Sequence, residues 1–450
     1  MVRRTSGDSW LQGVDRGAFL RGAAKLAGAA TALGLGAEGV GALHRAEAAD
    51  INGQLTFWNL AADGYEQPDK AGFLDLFRKR YPQVGLKAQY VPWNPYLQKI
   101  LTLSAAGTAP DLYFASISWI YDLAKKGAAE NLDPYVKASR LDFSKYFNVF
   151  NGLRYPTSTS SLYAVPYEWV TIVLYYNKSI FDKAKVPYPD TTWTYDTYRR
   201  VAKELTVRQG DKIVQYGCTA DWGYDTSDSL LHSNGGSILS ADNRKCTFNS
   251  PQNVESVQYL LDLVYKDKVA PSPTQYTPQQ GAEQLFMSGK IAMMMGGVWV
   301  IGDLRQQKKI PWDITMLPKG TVDRKIITWP NQYVMSSTSK NKDAAWKLIE
   351  LALRTDRPAN TFGPGKVPVI KADAKPWLSL DAHIPPAHEH VILDQQNHLV
   401  PLTAGPAWSE WRNKMDSTMQ SVFLRRLTAQ QGVAQASQAI QTVLDQFWAS

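Results

Sequence analysis

The sequence predicts an α/β protein built as two domains. Three observations carry that expectation. The first is the order strand, helix, strand, helix, strand over residues 54–116, the pattern of a mainly parallel sheet. The second is a restart of the same pattern near Val165–Trp169. The third is length, because single cores seldom grow beyond about 250–300 residues and this chain has 450. With 44% hydrophobic and 20% charged residues, the composition is that of a folded protein.

The elements follow in order. "QLTFW" is a strand ending on Trp58 and Asn59. In "KAGFLDLFRKRYP", Phe73, Leu76 and Phe77 make one apolar helix face, with Pro82 beyond its end. "VGLKAQY" alternates as a half-buried strand, and "YLQKILTLSAAG" is helical up to Gly107. "LYFAS" is the third strand, and "SISW" stands at its end. In open α/β sheets, ligands bind outside the carboxyl ends of the strands. Trp58 and Asn59 therefore share a rim with Ser116, Ser118 and Trp119. Asp111, ahead of its strand, reads as a turn or cap residue at the opposite end. After the restart come the strand "TIVLYYN", a helix in "WTYDTYRRVAKEL", a further helix in "PQNVESVQYLLDLVYKDK" and the buried strand "IAMMM". A third section carries "WDITMLPKG", "ITWPNQYVMSS" and the amphipathic helix "KDAAWKLIELAL". The final helices follow Trp408.

Residues 1–49 read as a cleaved export signal. Four arginines (Arg3, Arg4, Arg16 and Arg21) precede a mild Ala/Gly-rich segment, and "AEAAD" offers a cleavage site after Ala48 or Ala49. "DRGAFLR" is Tat-like, with Gly17 where a second arginine belongs, so the Sec and Tat routes both stay open. The bland alternative is a disordered tail. No cysteine follows the signal, so a lipid anchor through an N-terminal cysteine is not expected, and the periplasm is the expected compartment. Cys218 and Cys246 are the only two cysteines and are expected to form one disulfide, with two free thiols as the alternative. The net charge of +8 is scattered, without a basic run, so no nucleic-acid partner is expected.

Seven segments now point to a family. They are "LTFWN", "FRKRYPQVGLKAQYV", "LTLSAAGTAPDLYF", "YAVPYEW…LYYNKSIFDKAKVPYPDTTWTYDTY", "LFMSGKIAMMMGGVW", "WDITMLPKG" and "STSKNKDAAWKLIELAL". In that order, from about Leu55 to about Leu353, the chain resembles the extracellular solute-binding proteins of sugar-importing ABC transporters, the maltose-binding-protein-like group (solute-binding family 1). The resemblance implies a two-lobed, type II-like periplasmic-binding-protein fold with a hinge and a ligand cleft between the lobes. It puts residues 50–165 and 320–360 in the N-terminal lobe, and 166–319 and 361–450 in the C-terminal lobe. The chain would cross near "VPYEW", return near "LPKG" and cross again after "AAWKLIELAL". The implied function is capture of a sugar or oligosaccharide and its delivery to an ABC permease, by a monomer that is not an enzyme and needs no cofactor.

A sugar offers an apolar C–H face and a belt of hydroxyls, which call for flat aromatics and in-plane donors and acceptors. Candidates from the first lobe are Trp58, Asn59, Ser118 and Trp119. Tyr167 and Glu168 stand at the crossing. From the second lobe come Trp222, Tyr224, Asp225, Gly297 and Trp299, with Trp408 from the tail. By resemblance, Trp299 holds the position of the sugar-stacking platform. Asn331 and Tyr333 depart from the Gly-rich loop often found there in the family, and their larger side chains imply a tighter or differently shaped pocket. Each Trp could instead be core, and Glu168 an ion-pair partner.

No phosphate loop, HExxH or GxSxG is present. His388, Glu389, His390 and His398 could ligate a metal but read as surface residues of a Pro-rich segment. The rival function is a secreted carbohydrate-active enzyme using Glu168 and Asp225. A non-sugar ligand such as a glycerophosphodiester would call for Arg or Lys in the cleft, and the chosen clusters contain none.

Overall fold

The computed structural model describes residues 51–61, 72–139, 141–147, 153–155, 160–272, 278–354, 362 and 365–449. The predicted export signal lies outside the described residues. The first section is β1 (Gly53–Leu60), α1 (Leu74–Arg80), β2 (Val84–Val91), α2 (Trp93–Ala105) and β3 (Leu112–Ser116). Leu55 and Phe57 of β1 alternate with outward residues and are fully buried, as a strand packed on one face requires. Asp111 is structural, as expected. Its carboxylate accepts from the Thr56 backbone N–H (2.8 Å) and hydroxyl (2.7 Å), and from Ser339 and Asn341, pinning the start of β3.

After β3 the chain does not stay extended. Ile117–Trp119 folds into a 3-10 turn that runs into α3 (Ile120–Lys125). Then comes β4 (Val165–Asn177), buried at all thirteen positions. It is followed by α4 (Tyr195–Leu205), β5 (Val207–Gln209), β6 (Lys212–Cys218), α5 (Ser227–Ser233), α6 (Pro251–Leu261), α7 (Pro278–Met287) and β7 (Ile291–Gly297). The predicted helix starts are met by side-chain caps: the Thr194 hydroxyl accepts from Thr197, and that of Ser250 from Asn253, with Pro251 in the first turn. Later elements include α8 (Val300–Gln307), β8 (Trp312–Thr315), β9 (Ile326–Met335), α9 (Lys342–Ala352), β10 (Val367–Pro368), β11 (Leu399–Pro401), α10 (Trp408–Phe423) and α11 (Ala429–Ala449).

Eleven described strands form one curled sheet in the order β2-β1-β3-β9-β4-β7-β6-β5; β8 and β10 pair with β4, and β11 with β9. The outer pairs β1–β2, β1–β3 and β6–β7 are parallel, as predicted. The two long strands between them break the rule. β9 runs antiparallel to both β3 and β4, and β4 antiparallel to β7. One end of β4, at Val165–Thr171 where the sequence expects the first crossing, pairs with β9 and β10, and the other pairs with β7 and β8. The return strand is β9, which starts six residues beyond the "LPKG" expected from the sequence.

The expected disulfide is a correction: Cys218 and Cys246 are both free. Cys218 ends β6 in full burial, with its sulfur toward the Val269 carbonyl, and burial pushes its thiol well up. Cys246 lies against α11, its sulfur 3.4 Å from the Ser437 hydroxyl and its backbone N–H donating to Gln441. The two thiols face different neighbours, and spacing in the sequence carries no information about that.

Candidate ligand cleft

Five rings form an arc along the return strand. Trp299 caps the start of α8, just past β7, and is half-buried. Its centroid lies 5.7 Å from Trp329 of β9, at 57°. Trp329 meets Tyr224 edge-on at 5.6 Å, Tyr224 meets Trp408 at 5.6 Å and 85°, and Trp408 meets Trp411 at 6.1 Å. The Arg412 guanidinium sits 5.8 Å from the Tyr224 centroid and 5.9 Å from that of Trp222, which ties Trp222 to the same group. Thus Trp222, Tyr224, Trp299 and Trp408, distant in sequence, are brought together.

Two glycines make this geometry possible. A Cβ on Gly297 would stand 2.0 Å from the Trp299 ring, so only glycine lets that indole fold back over its own strand end. Gly365 has φ +67° and passes so close to the 298–299 backbone that a Cβ would be 1.9 Å from the Val298 carbonyl oxygen. That passage delivers Lys366 to the crossing strands. There the Glu168 carboxylate accepts from Asn331 Nδ2 at 2.9 Å and lies 3.9 Å from Lys366 Nζ, all three side chains being buried. Burial pushes the Lys366 ammonium down to about 8, against the pull of Glu168. Beside them Tyr167 and Tyr333 stack face to face at 4.0 Å and 6°, with Phe57 edge-on to Tyr333. Tyr167, Glu168, Asn331 and Tyr333 thus form the second group, on the crossing itself.

The first-lobe candidates form a third. Trp119 packs with Trp93 (4.7 Å), Tyr96 (5.7 Å) and Phe114 (5.9 Å) and is nearly fully buried. The Trp58 carbonyl accepts from the Tyr96 hydroxyl, Asn59 Oδ1 from the Leu60 N–H, and Ser118 donates to Ser116. The Trp119 turn also packs against β9 and against α10, which begins at Trp408, so this group adjoins the arc.

The charged groups near the arc are mostly paired. Arg412 binds Asp228 at 3.0 Å and Asp416 at 2.9 Å, and the Trp222 indole donates to Asp416 at 3.0 Å. Burial raises Asp228 to about 6 in spite of Arg412. Burial also raises Asp225, whose Oδ1 accepts from the Thr226 N–H. Glu283 of α7 is pushed up to about 7 by burial and by the charges of Asp303 and Asp225, while the Trp299 indole bonds to it and opposes the shift. A raised carboxyl favours folding fully below its unfolded value, and that contribution is lost as pH climbs through about 7. Glu283→Gln is therefore expected to raise the melting temperature at pH 8 and to do little at pH 5. Equal effects at both pH values would contradict the assignment.

Sequence reasoning missed Trp329, Lys366, Arg412 and Glu283. Trp329 was within reach, since it shares a strand face with Asn331 and Tyr333 by the period of two. Lys366 and Arg412 owe their place to partners more than a hundred residues away, Glu168 and Asp228, and Glu283 to Trp299, Asp303 and Asp225 on other elements. Among the described residues no group of three or more His, Cys, Asp or Glu side chains is placed to hold a metal ion. His388 instead bonds Asp313, and His390 lies 3.7 Å from Asp394.

The model of the family described as bacterial extracellular solute-binding protein matches residues 57–356. The chain belongs to this family. A binding protein of Brucella abortus (strain 2308) is 26% identical over 362 residues, spanning 77% of this chain and 83% of that one. The maltotriose-binding protein of Pyrococcus abyssi is 24% identical over 265 residues, 57% of this chain and 54% of its own length. An ABC substrate-binding protein of Listeria monocytogenes, solved in complex with cycloalternan, superposes with a TM-score of 0.77 at 25% identity and covers 88% of this chain and 100% of that one. As a member of the family, this solute-binding protein has the two-lobed fold.

Proposed function

We propose that the protein captures a sugar or oligosaccharide in its cleft and hands it to an ATP-driven import permease. The observation that carries this reading is the arc Trp299–Trp329–Tyr224–Trp408 beside buried carboxylates and amides. Its half-buried members Trp299 and Tyr224 offer flat apolar surface next to hydroxyl partners, the two halves of sugar recognition. In this reading the arc stacks the ring, Trp58, Asn59, Ser118 and Trp119 approach from the N-terminal lobe, and Tyr167, Glu168, Asn331 and Tyr333 form the floor. Trp222, Asp225 and Gly297 support the arc. The lobes comprise 50–165 with 320–360, and 166–319 with 361–450. Residues 1–49 export a monomer to the periplasm. The names of relatives for maltotriose and arabinooligosaccharides support the ligand class.

A binding role also fits the carboxylates better than hydrolysis does. Glu168 is engaged by Asn331 and Lys366, and Asp225 by a backbone N–H. A phosphodiester ligand would need a cation to spare, whereas Lys366 and Arg412 each face a buried carboxylate. One relative, of Pectobacterium atrosepticum, is named for sn-glycerol-3-phosphate, so that compound belongs in the screen.

A thermal-shift panel of mono- and oligosaccharides should find the ligand, because binding to the folded state alone raises its stability. Trp299→Ala is then expected to weaken binding by about 1–3 kcal/mol in calorimetry, the range for a buried aromatic contact. Unaltered affinity would remove Trp299 from the site. Turnover of the sugar, abolished in Glu168→Gln, would replace binding with catalysis.

A further inference from the structure

Helix α3 leaves the Trp119 turn and runs onto the far half of the molecule. Lys125 Nζ lies 4.0 Å over the ring of Phe447, near the end of α11. Tyr155 meets the same ring edge-on at 6.4 Å, and Tyr121 meets Tyr155 at 5.6 Å. On the receiving side, Trp448 donates to the Asn243 carbonyl and lies under Arg244, which fixes that surface.

We propose that Lys125 of α3, with Tyr155 and Tyr121 behind it, forms a latch which, by gripping Phe447 of α11, holds the cleft closed without touching the ligand. The inference rests on the reading that the cleft closes around a solute. The composition of the patch suits the task. It is one cation over a ring and two ring edges at a partly wet rim, each worth a few-fold in an equilibrium rather than orders of magnitude. A large apolar seam would shut the protein for good. A patch of this kind keeps the closed form populated while letting cargo enter and leave. Its position follows from the fold: α3 starts right after Trp119 and α10 right at Trp408, so the latch borders the place where the third aromatic group adjoins the arc. Contacts made only in the closed form raise apparent affinity by raising the fraction of competent molecules.

The test uses the mature chain with Lys125→Glu, which sets a carboxylate over the Phe447 ring, and Lys125→Ala combined with Phe447→Leu. Lys125 is exposed, so Lys125→Glu leaves the fold intact. Small-angle X-ray scattering without ligand is expected to show a larger radius of gyration in both variants. Stopped-flow release of maltotriose is expected to be about tenfold faster. Scattering identical to that of the parent protein in both variants would overturn the latch. A shift in scattering with no saccharide bound by any form would leave the latch standing and overturn the carbohydrate reading. Normal saccharide binding and release with unaltered scattering would do the reverse.

Discussion

Arg412→Met is expected to cost about 3–5 kcal/mol of folding stability, the range for removing one partner of a buried ion pair. Arg412 is 2% exposed and Asp228 1% exposed, and the two meet at 3.0 Å between α10 and α5. Methionine fills most of the volume but leaves the Asp228 carboxylate without its counter-charge in a site that already raises it to about 6. The same change releases Asp416, to which the Trp222 indole donates, and removes the cation beside the Trp222 and Tyr224 rings. The deficit should therefore be largest at pH 8 and shrink toward pH 5, where Asp228 can protonate instead of standing charged. Adding Asp228→Asn should recover part of the loss, because the two changes share one interaction. Urea unfolding at the two pH values measures all of this. A loss below about 1 kcal/mol at pH 8 would mean that the pair is dispensable.

Gly297→Ala is expected to cut ligand affinity about as deeply as removal of Trp299 itself. The new methyl group would lie 2.0 Å from the indole, and β7 cannot retreat, because its neighbour β4 pairs with it through Ile172↔Gly297 and Tyr175 donates to the Gly297 carbonyl. The ring must swing away from Trp329, breaking the arc at its exposed end. The loss should be about 1–3 kcal/mol in binding, with the fold retained, since a half-buried ring can turn toward solvent. Calorimetry against the ligand identified by the thermal screen decides it, and full affinity in Gly297→Ala would show that the ring's placement is irrelevant to binding.

Much of the scaffold was legible because it rests on local patterns. The strand "QLTFW", the alternation in "VGLKAQY", the strands "TIVLYYN" and "IAMMM", and the helices in "WTYDTYRRVAKEL" and "PQNVESVQYLLDLVYKDK" are all found where the sequence placed them. Periodicity failed where the chain turns. Trp119 was read as the tip of a strand, yet Ile117–Trp119 curls into a helical turn and seats the indole among Trp93, Tyr96 and Phe114. The site was legible as residue types and not as pairings. Lys366 finds Glu168 because Gly365 can pass against the 298–299 backbone, a three-body fit that no window of sequence contains. The cysteines fail for the same reason, since separation along a chain does not fix separation in space.

The bridge between the halves is a paired ribbon rather than two separate cords. β4 and β9 stay hydrogen-bonded across it, from Thr328↔Thr171 through Asn331↔Glu168, and the register slips only at Asn331/Gln332, where β4 carries Tyr167 as an extra residue. Sliding one strand along the other would cost the whole ladder at once, whereas flexing at the irregular step costs little. Such a connection behaves as a jaw with a single track. Any flexing of the pair is thus confined to one step, and the register on either side of it is kept.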